Sequence, residues 1–261
     1  MTPEQLQSVR RHFAEYAKGY IDQAGDMRLM MELKREHCAF VARNCRELAA
    51  SNGWNPADIR TAEALGFLHD VGRFPQLEEY GTFRDDRSIN HGERGWQAIR
   101  ESGLLDEVEP ALRNALLDGV RHHNARTLPN DLPESHYRWL KLIRDADRLD
   151  IYRVVLDTLD NDRMSEHPDI VLNLSIEGDP SPETLETIRR REQPAYSNLK
   201  CVADFVLMLL SWSYQMNYPA SLVIMRERRI IDRLAAYLPS GLPEVEKVVS
   251  SLRKELEDAC Q

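Results

Sequence analysis

The pair His69-Asp70, in the stretch Ala-Leu-Gly-Phe-Leu-His-Asp-Val-Gly-Arg from 64 to 73, sets two metal-binding side chains at the end of an apolar run. Alone, such a pair says little. Here it is accompanied by His37 upstream, by His91 and His122-His123 downstream, and by Asp147 within Ile-Arg-Asp-Ala-Asp-Arg-Leu-Asp. Imidazole nitrogens joined by one or two carboxylates suit divalent Fe, Mn, Co, Ni or Zn, whereas an oxygen-seeking ion such as Ca would not draw on so many histidines.

The elements that must carry these residues are helices with apolar faces. His37 shares a face with Leu33, Phe40, Val41 and Leu48; His69 follows Ala62 and Leu65; His123 follows Leu112, Leu116, Gly119 and Val120; Asp147 lies between Ile143 and Ile151. Each is a polar group pointing where a core should be. Taken singly, each has a plainer reading, since a buried histidine is more often a hydrogen-bonded core residue and Asp147 could pair with Arg144, Arg148 or Arg121. An ionised carboxylate taken out of water must be paired, hydrogen-bonded or bound to a metal. One shared cation accounts for all of them together.

Apolar residues recur at three- and four-residue spacing from end to end and strand signals are weak, so the fold class is all-α. The pattern predicts helices near 3–20, 29–51, 56–69, 90–103, 106–124, 134–159, 181–192, 197–216, 221–237 and 243–259. Two stretches, 72–90 and 161–182, read as loops, and the first lies between suspected ligands. Residues 1–160 are expected to form the metal-binding core with its N-terminal helix, and 161–261 a helical extension packed on it, either as a second part or within one domain. The closing helix, Glu244 to Ala259 with Val248, Leu252 and Leu256, suits a surface or a homodimer contact.

With 261 residues, 42% of them hydrophobic, the chain can bury one sizeable core or two modest lobes. A net charge of −9 argues against a footprint for duplex nucleic acid or an anionic membrane. The apolar run Phe205–Leu210 is too short to cross a bilayer, and Met-Thr-Pro-Glu-Gln is no export signal, so a cytoplasmic protein is expected. Cys38, Cys45, Cys201 and Cys260 show no Cys-x-x-Cys spacing and read as reduced, packed thiols.

The order His37, His69-Asp70, Asp147, with the phrases Leu-His-Asp-Val-Gly-Arg and Ala-Asp-Arg-Leu-Asp, closely resembles the HD-domain superfamily of metal-dependent phosphohydrolases over roughly residues 30–155. The resemblance implies an HD-type helical bundle with additional C-terminal helices. It also implies a primary metal site of His37, His69, Asp70 and Asp147. The further histidines resemble those of the branch with two metals, with Asp70 as the bridge, His91 and His123 on the second ion, and His122 a weaker ligand. One or two divalent transition metals per chain are therefore expected. His12, His136 and His167 lack such a context and read as surface or loop residues.

Such a centre can activate water and neutralise charge developing on a phosphoryl group, and no side-chain nucleophile is evident. Asp70 is the expected catalytic residue, and Arg73 is expected to join it by holding a substrate phosphate in two-point fashion. Arg73 has a plainer alternative as a salt bridge to Glu78 or Asp85. Asn124 and Arg126 are further substrate-binding candidates, with Arg84 and Arg87 behind. The expected activity is hydrolysis of a phosphate ester of a small metabolite or nucleotide. The competing readings are a di-iron oxygenase acting on an alcohol or phosphonate through the same ligand order, and a non-catalytic ligand-binding module.

Overall fold

A computed structural model of the chain describes residues 1–166 and 168–259; His167 and Cys260 lie outside the described residues. The described residues form no sheet; they contain one isolated bridge, Ser175 to Cys201. Among the described residues no helix is long and apolar enough to cross a membrane. The chain forms two compact units, Met1–Asp150 and Ile151–Gln261. The boundary falls within one long helix.

In the first unit, α1 (Pro3–Gln23) opens on a capping box. Thr2 Oγ1 accepts from the Gln5 amide at 3.2 Å, and the Gln5 side chain accepts from the Thr2 amide at 2.9 Å. Leu6, Val9, Phe13, Ala17 and Ile21 form its buried stripe. Next come α2 (Arg28–Ser51) and α3 (Pro56–Leu68), the latter capped by Asn55, which accepts from Asp58 N at 2.9 Å. These two helices approach so closely that a Cβ on Gly66 would lie 2.4 Å from Ala42 Cα. Only glycine fits there, and the contact brings the His37 face of α2 against the end of α3.

The predicted loop 72–90 is in large part helical: α4 spans Arg73–Tyr80 and buries Phe74, Pro75, Gln76 and Leu77. Pro75 obscured the pattern, yet it sits in the first turn, where no intrahelical donor is lost. The helix stops at Gly81 in the left-handed conformation, φ 66°. Phe74 packs edge-on to Tyr16, with ring centroids 5.9 Å apart, and Tyr16 donates its hydroxyl to Val71 O at 3.3 Å. Thus α1 braces the turn that carries Asp70. The unit is completed by α5 (His91–Ser102), α6 (Pro110–His122) and the first half of α7 (Glu134–Asp160).

The second unit takes the end of α7 together with α8 (Pro182–Arg189), α9 (Val202–Ser211), α10 (Pro219–Glu227), α11 (Ile230–Ala235) and α12 (Pro243–Ala259). Every residue of α9 is buried, as expected of a helix apolar on all sides. Its Asp204 is fully buried and accepts from the amides of Ser181 at 2.8 Å and Lys200 at 3.0 Å. The predicted helix 197–216 is shorter than expected and passes into a 3-10 turn at Trp212–Gln215. The predicted 221–237 divides at Arg229, whose φ is 52°. Helix α12 buries Val245, Val248, Val249, Leu252 and Leu256 within its own unit, against α8, α10 and α11, so the apolar face read as a dimer contact is already covered. Cys38, Cys45 and Cys201 are buried free thiols.

Candidate metal centre

Five helices of the first unit deliver six side chains to one place. His37 comes from α2, His69 caps the C-terminus of α3 with Asp70 directly after it, His91 is the first residue of α5, His123 follows the last turn of α6, and Asp147 lies on α7. Asn90 fixes the start of α5 by accepting from Glu93 N at 3.1 Å, and so fixes where His91 emerges. The four histidines and Asp70 are buried, while the Asp147 side chain keeps 21% exposure and opens the cluster to solvent.

The two oxygens of Asp70 face different ligand sets. Oδ1 lies 3.3 Å from His91 Nε2 and 3.4 Å from His123 Nε2. Oδ2 lies 3.6 Å from both His37 Nε2 and His69 Nε2, and Asp147 Oδ1 adds distances of 3.1 Å to His37 Nε2 and 3.8 Å to His69 Nε2. Ligand atoms mutually within 4.8 Å form the sets His37-His69-Asp70, His69-His123-Asp147 and Asp70-His91-His123. Asp70 stands in two of them.

Each imidazole is tied at its other nitrogen. His69 Nδ1 donates to Gly66 O and His123 Nδ1 to Val120 O, both at 2.7 Å, and a carbonyl can only accept. His37 Nδ1 lies 2.7 Å from Asp150 Oδ2, and His91 Nδ1 lies 2.7 and 2.8 Å from the two oxygens of Asp85. These are the outer partners that fix the tautomer of a metal-binding histidine and turn its Nε2 lone pair inward.

The electrostatics suit a positive charge held within the cluster. Burial first, then Arg73, pushes the His91 pKa down to about 3, so its ring is neutral. Burial also lowers His69. For His37, burial and Lys34 oppose protonation, but the bonds to Asp147 and Asp150 prevail and raise it. Burial works against the charge on Asp70, yet Lys34 and His69 hold it well below the usual carboxylate range. His91 Nε2 and His123 Nε2 are 3.1 Å apart. His69 Nε2 and Asp70 Oδ1 are buried with no hydrogen-bond partner. Lone pairs and a carboxylate oxygen converging in a buried space repel one another unless a cation binds among them, so this donor set fits divalent transition metal.

The other expected site residues separate. Arg73 Nη1 donates to Asp85 Oδ1 at 3.0 Å, to Gln76 Oε1 at 2.9 Å and to Phe83 O, so the salt bridge to Asp85 is formed. Its Nε remains buried without a hydrogen-bond partner, 3.6 Å from Asp70 Oδ1. Asn124 donates to Asp85 Oδ2 at 2.9 Å and to Asn90 Oδ1 at 3.2 Å. Arg126, Arg84 and Arg87 are exposed, and Arg84 pairs with Asp86. His122 is half-buried and enters none of the ligand sets. His12 stacks on Tyr16 along α1. His136 is no surface residue: it is buried and bonded through Nδ1 to Asp118 Oδ2 at 2.6 Å.

Four residues make contacts at the site that the sequence reading does not assign. Lys34, one turn before His37, donates to Asp70 Oδ2 at 2.8 Å, and Asp150 lies one turn after Asp147; both offsets were visible as helical neighbours of assigned residues. Arg144 donates to His123 O at 2.9 Å and to Ala125 O, securing the turn after α6; burial, then Arg148, lowers its pKa to about 10. Asp85, in the 3-10 turn Asp85–Arg87, had no periodic signal at all.

No curated protein and no solved structure matches the chain. Residues 35–162 match the family model of the HD domain, an interval that holds all four histidines, Asp70, Asp147 and Asp150. That segment is the chain's HD domain.

Proposed function

We propose that this protein is a metal-dependent phosphohydrolase that cleaves a phosphate ester of a small metabolite or nucleotide at a centre for two divalent cations. The observation that carries this reading is the convergence of four Nε2 atoms on the two oxygens of Asp70, with every Nδ1 already engaged. His37, His69 and Asp147 would hold one ion, His91 and His123 the other, and Asp70 both. Divalent cations in such a set lower the pKa of water and polarise a phosphoryl oxygen.

The chain's own groups supply the rest. Asp150 and Asp85 engage the Nδ1 atoms of His37 and His91, which leaves each Nε2 facing the cluster for an ion. Arg73 is held by Asp85, Gln76 and Phe83 O, which limits its motion and presents the unpaired Nε beside Asp70, where an anionic substrate oxygen can accept from it. Asn124 donates to Asp85 and lies 3.4 Å from His91 Nδ1, so it supports that ligand's surroundings, whereas Arg126 is exposed. Preorganised donors of this kind contribute most where charge develops in the transition state.

The test is elemental analysis of protein purified without chelators, followed by a screen of nucleotides, sugar phosphates and phosphonates with and without added Mn. Release of inorganic phosphate that depends on bound metal is expected. Consumption of O₂ with a substrate, without turnover of any phosphate ester, would reverse the assignment in favour of oxygenase chemistry.

A further inference from the structure

Lys34 stands apart from the groups that orient the ligands. Its ammonium donates to Asp70 Oδ2 at 2.8 Å, on the side of the carboxylate that faces His37 and His69. The side chain retains 19% exposure, against 4% for Asp70, so Lys34 lies between the buried cluster and solvent. The ammonium sits 5.4 Å from the centroid of the Phe83 ring, and the Arg73 guanidinium lies 5.9 Å from the same centroid. Two cations thus meet at one aromatic ring, each also lying beside an oxygen of Asp70.

Arg73 is spent on three protein acceptors through Nη1, whereas Lys34 makes one hydrogen bond among the described residues. An ammonium has three donors, so Lys34 can accept further anionic partners without giving up Asp70. Its position also has an electrostatic consequence. A cation among His37, His69, Asp147 and Asp70 would share Asp70 Oδ2 with Lys34, and two positive charges on one oxygen disfavour each other. An anion arriving beside them relieves that repulsion.

We propose that Lys34 is a substrate-binding residue that couples the two events: it weakens metal binding in the absence of an anion and, once metal is bound, takes a non-bridging oxygen of the phosphate group. This role rests on the metal-dependent reading of the site. It explains why a lysine occupies a place where a neutral residue would leave Asp70 more available to metal. By linkage, phosphate must then tighten metal binding as much as metal tightens phosphate.

The test measures binding of Mn alone, and of inorganic phosphate to Mn-loaded protein, by calorimetry for the parent, Lys34→Met and Lys34→Arg, with thermal unfolding confirming that each is folded. Lys34→Met should bind Mn at least as tightly as the parent and bind phosphate about tenfold or more weakly, the loss of one charge-assisted hydrogen bond. Lys34→Arg should recover most of the phosphate affinity. Unchanged phosphate affinity in Lys34→Met overturns the proposal, as does loss of Mn, which would make Lys34 a support for Asp70 alone. Failure of the parent to bind Mn overturns both this role and the hydrolase reading. Phosphate binding lost in Lys34→Met, together with a parent that hydrolyses no phosphate ester, upholds Lys34 and removes the hydrolase reading only.

Discussion

His91 and His123 face each other with their Nε2 atoms 3.1 Å apart, and both rings are already engaged through Nδ1, to Asp85 and to Val120 O. With both Nδ1 atoms so engaged, the two Nε2 lone pairs are turned toward each other. Asp70 Oδ1, 3.3 and 3.4 Å away, adds negative charge to the same point. An arrangement of this kind suits a cation, because converging acceptors in a buried place is costly without one.

Replacing His91 by Ala should therefore empty one ion and leave the other, whereas replacing His69 or Asp70 should remove both ions and all activity. Inductively coupled plasma analysis of the three variants reads this out. Full activity in a metal-depleted His69→Ala or Asp70→Ala protein would contradict a metal mechanism, and an unchanged metal count in His91→Ala would contradict the second site.

Asp85 gathers donors from His91, Arg73, Gln76 and Asn124. Its bond to His91 Nδ1 would make it a positioning residue for that ring. Asp85→Ala should weaken the ion held by His91 and His123 by about 10–100-fold, the usual effect of losing an outer-sphere partner. Metal titration should show the other ion unaffected. Equal weakening of both would point to a general collapse of the 82–91 loop instead.

The pH response of metal-stripped protein follows from two shifts of defined sign. His91 falls from 6.5 to about 3 through burial and Arg73, so between those values the unfolded chain binds a proton that the folded one refuses, and stability drops as pH falls. For Asp85, bonds to His91, Arg73 and Gln76 outweigh burial and lower its pKa from 3.8 to about 2; its contribution is full above 3.8 and is lost as pH falls through about 2. Both act in the same direction. NMR of the His91 ring should show no titration from pH 7 to 5; a midpoint near 6.5 would show that the ring is not held as described.

Gly66 serves both packing and site. A methyl group there would press on Ala42 and Val41 backbone atoms at 2.4 to 2.9 Å, and the Gly66 carbonyl is the acceptor for His69 Nδ1. Gly66→Ala should cost at least about 1–3 kcal/mol by overpacking. Chemical denaturation should record the loss, and metal affinity should fall with it. A neutral substitution would mean that α2 and α3 separate without strain.

In the sequence His37, His123 and Asp147 stand out as candidate ligands because each is a polar residue at a helical offset where apolar neighbours belong, whereas His91 rests on the resemblance to HD proteins with two metals. His69 and Asp70 drew attention by their adjacency at the end of an apolar run. The same logic hid other things. Helix α4 was read as loop because Pro75 and the charged residues around it break the period, although a proline in the first turn is harmless. His136 looked like a surface residue because its partner, Asp118, is 18 positions away in sequence and periodicity carries no information about pairing between helices. Asp85 reads in the sequence only as a salt-bridge partner of Arg73, because it lies in a short 3-10 turn and its contacts with His91, Gln76 and Asn124 depend on three-dimensional convergence.

The division of Asp70 between two ligand sets is tested most directly by crystals of Mn-loaded protein measured at the Mn absorption edge. Two anomalous peaks are predicted, one contacted by His37, His69 and Asp147, the other by His91 and His123, with Asp70 contacting both. A single peak, or none within this cluster at full Mn occupancy, would contradict it.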